Sequence, residues 1–138
     1  MEKRTVLFVD DDSIVLRSIA RGLFDEPYKV CFAESGEEAL KILSQQEVHV
    51  LVTDIRMPEM DGTELLKIVT RKYPHIVKMV LSGYTNTTDM TKAIHQEGVF
   101  KFIPKPWNLQ DGEEFREIVR CAIDHYNLQY EHAGTVQN

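Results

Sequence analysis

Short apolar runs alternate with longer amphipathic segments five times along the chain, a pattern that predicts a parallel sheet covered by helices on both faces. The runs fall at Val6 to Val9, Lys29 to Ala33, Val48 to Thr53, Val77 to Leu81 and Val99 to Ile103. The first, third and fourth are nearly unbroken, which suits strands buried on both faces. Leu16, Ile19, Ala20, Leu23 and Phe24 recur at helical spacing and predict a first helix that Gly22 and Pro27 help to end. Ser35 with Glu38, and Asp61 with Glu64, have capping-box spacing. They predict the starts of a second helix through Ala39, Leu40 and Leu43 and a third through Leu65, Ile68 and Val69. Residues 86–97 carry only the thin stripe Met90, Ala93 and Ile94, so this fourth helix is expected to be weakly fastened and mobile. Phe115, Ile118, Val119, Ala122, Ile123 and Tyr126 form a long stripe and predict a last helix from about residue 110 to at least 126.

At 138 residues the chain has room for one compact domain, placed at 1–127; the remainder, 128–138, loses the pattern and reads as a tail or the start of a linker. Hydrophobic residues make up 43% and charged residues 28%, which excludes a disordered chain and a disulfide-built miniprotein. Asp and Glu total 22 against 16 Lys and Arg, for a net charge of −6. Direct nucleic-acid binding is therefore not expected, because it needs clustered cations against the phosphates. Cys31 and Cys121 lie far apart without metal-ligand spacing and are expected to be buried reduced thiols. The first apolar run stops after four residues, too short for a signal peptide or a membrane span, so a cytoplasmic protein is expected.

In open sheets of this kind ligands bind beyond the carboxyl ends of the strands. Asp10, Asp11 and Asp12 follow the first run, Asp54 the third, Ser82 the fourth and Lys105 the fifth. Helix capping accounts for one or two of these carboxylates, and three in a row plus Asp54 exceed that need. Set together they repel one another unless a cation neutralises them, and an all-oxygen cluster suits a hard ion such as Mg²⁺, or Mn²⁺. Such an ion keeps waters and recruits phosphate oxygens, and a carboxylate can itself accept a phosphoryl group. Lys105 and Ser82 add the cation and the hydroxyl that such a transfer uses.

Val9-Asp10-Asp11, Asp54-Ile55-Arg56-Met57-Pro58 with Met60-Asp61-Gly62, Leu81-Ser82-Gly83 and Phe102-Ile103-Pro104-Lys105-Pro106 together resemble the receiver domain of bacterial two-component response regulators, over residues 4 to about 126. Each motif alone is weak; their order and spacing carry the resemblance. It implies a doubly wound (βα)5 fold with the flavodoxin-like strand order 2-1-3-4-5. Asp54 becomes the phosphoacceptor. Asp11, Asp54 and the backbone carbonyl of Arg56 become the metal ligands, with Asp10 assisting through water. Ser82 and Lys105 meet the phosphoryl group, Ser82 and Phe102 are switch residues, and Arg56 and Tyr84 tune dephosphorylation. Lys105-Pro106 would be a cis peptide. A domain of this kind catalyses its own phosphorylation and dephosphorylation without turning over a separate substrate. Its implied partners are a sensor histidine kinase and an output domain or effector, met through the fourth and fifth helices and fifth strand, with a homodimer as a further outcome. Lys101 to Trp107 and the tail also resemble receivers joined to HD-GYP-type phosphohydrolase domains. Trp107 itself reads as a turn residue packing on the last helix.

Two other readings compete. Asp10-x-Asp12 resembles the nucleophile motif of haloacid-dehalogenase-type phosphatases, with Asp10 as nucleophile. Against it, Ile14 stands where that motif prefers Thr or Val, no acidic pair follows a later strand, and no substrate-selecting cap is present. A receiver-shaped docking module that is never phosphorylated is the other, and the intact carboxylates, Ser82 and Lys105 argue against it.

Overall fold

Backbone hydrogen bonds join β1 (Thr5–Val9), β2 (Lys29–Ala33), β3 (Val50–Asp54), β4 (Val77–Ser82) and β5 (Lys101–Pro104) into one parallel sheet in the order β2-β1-β3-β4-β5. The structure, a computed structural model, describes residues 3–82, 97–104 and 112–131. All five residues of β1 and the first four of β3 are buried, as their apolar runs require. On the edge strand β2, Lys29 is exposed and only Ala33 is fully covered. The flavodoxin-like order expected from the motifs is the order observed.

Helices cover both faces. On one, α1 (Ser13–Leu23) and α4 (Glu113–Tyr126) pack Leu16, Ile19, Leu23, Phe115, Val119 and Ala122 against Val6, Phe8, Val52 and Met79. On the other, α2 (Gly36–Gln45) and α3 (Gly62–Lys72) pack Ala39, Leu43, Leu65, Leu66 and Val69 against Leu7, Val9, Leu51 and Val80. Alternation along each central strand sends neighbouring residues to opposite cores, so one apolar run serves two layers. A Glu26 carboxylate ties the α1–β2 connection to α4 through a two-pronged bond from Arg120, at 2.9 and 2.8 Å.

Several expectations need correction. Phe24 does not join the buried stripe of α1: it caps the helix and is 80% exposed. Gly22 sits inside the last turn of that helix rather than beyond it, so Gly22 is not the stop signal. The Ser35 hydroxyl accepts from Glu38 N–H as expected, but Glu38 returns its bond to the N–H of Glu34, one residue before the cap. β3 begins at Val50 and runs through Asp54, while β5 begins at Lys101, later than the apolar run that starts at Val99. Cys31 is only half-buried and Cys121 is exposed, so they are not two buried thiols. Lys78 interrupts the apolar β4 and is nevertheless buried; its Nζ donates to Thr70 Oγ1. Burial lowers the Lys78 pKa from the ordinary lysine range, and nearby Glu97 acts the other way.

Helix α4 starts at Glu113, and the chain continues past Tyr126 and past residue 127 as a π-helical turn, Asn127–Glu131. The expected mobile helix at residues 86–97, apart from Glu97, lies outside the described residues, as do Trp107 and the Lys105-Pro106 bond. Among the described residues no helix is long and apolar enough to cross a membrane.

Candidate functional site

Register brings the carboxylates together. β1 and β3 run parallel with Val9 beside Thr53, so the next residue on each strand, Asp10 and Asp54, emerge as neighbours at the carboxyl edge of the sheet. Asp11 follows one step on. Carboxylate oxygens of Asp10, Asp11 and Asp54 all lie within 4.8 Å of one another. The three differ in access: Asp10 is fully buried, Asp54 half-buried and Asp11 exposed. The arrangement is therefore an acidic pocket graded in access, from the buried Asp10 to the exposed Asp11.

Local bonds hold the members in place. Asp10 N–H donates to Ala33 O at 3.1 Å, carrying the β1–β2 ladder one residue past β1, and Asp10 Oδ1 accepts from Asp12 N–H at 2.9 Å. Asp54 Oδ1 accepts from Ile55 N–H at 2.8 Å. Asp12 belongs elsewhere: its side chain turns to Ile14 N–H at 2.9 Å and caps α1. The run of three acids thus divides into one cap and two members of the pocket. Three convergent oxygen donors in one site fit a hard divalent cation, whose charge offsets their mutual repulsion.

The loop after β3 forms one wall. Met57 is buried in the α2–α3 core and fastens the loop, while Arg56, Pro58 and Glu59 face solvent. Glu59 takes a left-handed backbone conformation, φ 65°, uncommon for a residue with a side chain. Gly62 then folds back against the strand end, with its N–H bonded to Ile55 O at 2.8 Å. A Cβ on Gly62 would stand 2.1 Å from the carbonyl oxygen of Asp54 and 2.8 Å from Ile55 Cα, so any side chain there displaces the backbone that carries Asp54. Asp61 caps α3 beside it, accepting from Glu64 N–H at 3.0 Å and from the Thr63 hydroxyl at 2.6 Å.

β4 and β5 lie on the side of β3 away from β1. Asp54 pairs with Leu81 and Ser82 pairs with Pro104, so the backbone of Ser82 stands one residue beyond the acceptor strand's end. The Ser82 side chain, Lys105 and Tyr84 lie outside the described residues. Phe102 is half-buried, pairs with Val80 on β4 and packs onto the core that holds Ile55 and Met57. Gly62's role had no signal in its own residue type beyond its place after Met60-Asp61; the close approach that demands it is a tertiary fact.

A family model described as the response regulator receiver domain matches residues 6–119. The chain is 36% identical over 93% of its length to the hydrogenase transcriptional regulatory protein HoxA of Cupriavidus necator, and covers 26% of that protein. It is 33% identical over 94% of its length to the DNA-binding transcriptional regulator NtrC of Proteus hauseri, again covering 26% of that protein. Among solved structures, the signal receiver domain of an HD domain-containing protein from Pseudomonas fluorescens superposes with a TM-score of 0.83 at 28% identity, covering 91% of this chain and 98% of that one. The chain spans about a quarter of the length of the two regulators it matches.

Proposed function

The chain belongs to the response regulator receiver domain family, and from that premise we propose that Asp54 accepts a phosphoryl group from a phosphohistidine on a sensor kinase. The observation that carries the reading is the convergence of Asp10, Asp11 and Asp54 within 4.8 Å, with Asp54 at the carboxyl end of β3. An Asp54 carboxylate oxygen bonds to phosphorus as the phosphorus–nitrogen bond to histidine breaks, leaving an acyl phosphate on Asp54. Attack by water later restores the carboxylate and releases inorganic phosphate. Both steps are the domain's own chemistry, so no separate substrate is turned over.

Asp11, Asp54 and the backbone carbonyl of Arg56 would hold Mg²⁺ or Mn²⁺, with Asp10 reaching it through water. When bound, the ion neutralises charge on the phosphoryl oxygens. Asp10, buried and accepting from Asp12 N–H, would anchor the inner side of the cluster, and Asp11, exposed beside it, would face the ion. Ser82 and Lys105, following β4 and β5, are assigned to the transferred phosphoryl oxygens. Arg56 and Tyr84 are assigned to the pace of dephosphorylation.

Inverting a two-state equilibrium from 1:99 to 99:1 takes ~5.5 kcal/mol. One charge-assisted hydrogen bond from Ser82 supplies roughly 1.5 to 3 kcal/mol, so Lys105 and the ion must share the task. The readout assigned to this event is a movement of Ser82 toward the phosphoryl group with Phe102 turning after it, felt at β5 and the helices beside it. Homodimer formation through that surface is a further expected response.

Output is assigned less narrowly. The two regulators are named for transcription and the structural neighbour for an HD domain, so likeness in the receiver does not select one output. With a net charge of −6, this domain is not assigned the DNA contact that the name of the longer NtrC describes. The reading places the domain in the cytoplasm with its kinase and its output domain or effector.

The test is incubation with Mg²⁺ and acetyl phosphate or phosphoramidate, followed by intact mass. A metal-dependent gain of one phosphoryl group, lost in Asp54→Asn, supports the reading. Labelling that survives Asp54→Asn and disappears in Asp10→Asn, with phosphate released from small phosphoesters, would transfer the assignment to a phosphatase. No labelling from either donor would favour the unphosphorylated docking module.

A further inference from the structure

At the pole of the sheet opposite Asp54, the amino ends of three strands meet the end of the last helix. Arg4 precedes β1, His49 precedes β3 and His75 precedes β4, while Tyr126 closes α4 and Tyr130 lies in the π-helical turn after it. Arg4 Nε–H donates to Asn127 Oδ1 at 2.8 Å, and its guanidinium lies 5.1 Å from the centre of the Tyr126 ring. The His49 ring meets Tyr126 edge-on at 4.9 Å, Tyr126 meets Tyr130 at 4.9 Å, and His75 meets Tyr130 edge-on at 6.3 Å. None of these groups takes part in phosphoryl chemistry.

His49 is 3% exposed, and its neighbours dictate where its proton sits. Thr5 N–H donates to His49 Nδ1 at 2.9 Å, so Nδ1 must present a lone pair. The neutral ring then carries its proton on Nε2, which donates to Glu47 Oε1 at 3.2 Å. A second proton on Nδ1 would set two N–H donors face to face in a buried site and break the bond to Thr5. Among the described residues, the charged and titratable groups around the ring are Glu47 from the α2–β3 connection, Arg4 ahead of β1, His75 ahead of β4 and the Tyr126 phenol on α4. Burial is the largest influence and lowers the His49 pKa from the ordinary value of 6.5; Arg4 and His75 add to it and Glu47 opposes it.

We propose that His49 and Tyr126 form a proton-sensitive clasp that holds the π-helical turn Asn127–Glu131 against the base of the sheet, and that acidification releases this turn while leaving the carboxylate pocket at the far pole in place. The sign follows from linkage. The docked form disfavours the proton, so docking is at full strength above the ordinary histidine range and weakens as pH falls below it. One linked proton raises the released population by up to about tenfold for each pH unit.

The experiment is an NMR titration of the whole chain from pH 7.5 to pH 5, following the His49 ring nitrogens, the Thr5 amide and the backbone shifts of residues 127–131. At neutral pH the ring is expected in the Nε2–H form. On acidification, residues 127–131 should lose helical shifts with the midpoint of His49, together with the Thr5 amide, while Asp10 and Ile55 amides stay in place. His49→Asn, whose carbonyl can accept from Thr5 N–H without titrating, should keep the turn docked throughout, whereas His75→Gln, which removes a second titrating ring against Tyr130, should keep a response that follows His49. Helical shifts that persist through the titration of His49 overturn the clasp. A response that survives in His49→Asn overturns it equally.

Discussion

Asp11 and Asp12 are adjacent and of one type, yet their surroundings give them different work, and substitution should separate the two. Asp12 accepts from Ile14 N–H and caps α1, so Asp12→Ala should lower stability by about 1 kcal/mol in denaturant unfolding while Asp54 remains open to phosphorylation. Asp11 points its carboxylate at Asp10 and Asp54, so Asp11→Asn should abolish metal-dependent labelling and, in chelator, leave stability equal to or above that of the parent, because a repulsion has been removed. Gly62→Ala should lower stability by about 2 to 3 kcal/mol, in the range of overpacked sites, and impair labelling, since its Cβ would drive into the Asp54 carbonyl at 2.1 Å; unfolding and intact mass report the two effects. The acidic pocket was legible in the sequence because each carboxylate stands directly after an apolar run, where a parallel sheet presents its strand ends. The steric role of Gly62, present in the sequence only as part of a motif, and the role of His49 were not, because one is required by a close approach between backbone segments and the other by an amide on a neighbouring strand.

The elements were legible wherever their pattern is one-sided. Central strands buried on both faces, and helices with a clean stripe such as α4, stood at or near the predicted positions. Boundaries moved where a terminal residue has two plausible environments. Phe24 continues the spacing of Leu16, Ile19 and Leu23, but the helix ends under it and the ring faces solvent. Lys78 sits at a core position of β4 because the Thr70 hydroxyl accepts its ammonium, a partner that periodicity does not display. Gly22 supplies the prediction at this scale. It occupies the last turn of α1 with open space where a Cβ would project, and no left-handed conformation holds it there. Gly22→Ala should stabilise the domain by about 0.5 to 1 kcal/mol in urea unfolding, without changing phosphorylation, because it removes backbone freedom from the unfolded chain. An unchanged or lower midpoint would mean that the last turn of α1 is not helical in solution.

Across the whole molecule, one sheet carries two poles. Its carboxyl edge gathers Asp10, Asp11 and Asp54, and its amino edge gathers Arg4, His49 and His75 around the end of α4. A cation that binds only the folded pocket must stabilise the whole domain, by about 2.7 kcal/mol at a hundred times its dissociation constant. Mg²⁺ should therefore raise the thermal midpoint of the parent chain and leave that of Asp11→Asn unmoved. The pattern of strands and helices set this architecture in view from the sequence, whereas the pairing of the two poles depends on which helix ends above which strand. The central claim is that the phosphoryl group resides on Asp54. Its most direct measurement is borohydride trapping of the phosphorylated chain: reduction of an acyl phosphate converts that aspartate to homoserine, and peptide sequencing by mass spectrometry locates it. Homoserine at position 54, dependent on Mg²⁺ and phosphodonor, is the predicted result; homoserine at position 10, or at neither position in a chain that has gained a phosphoryl group, would contradict it.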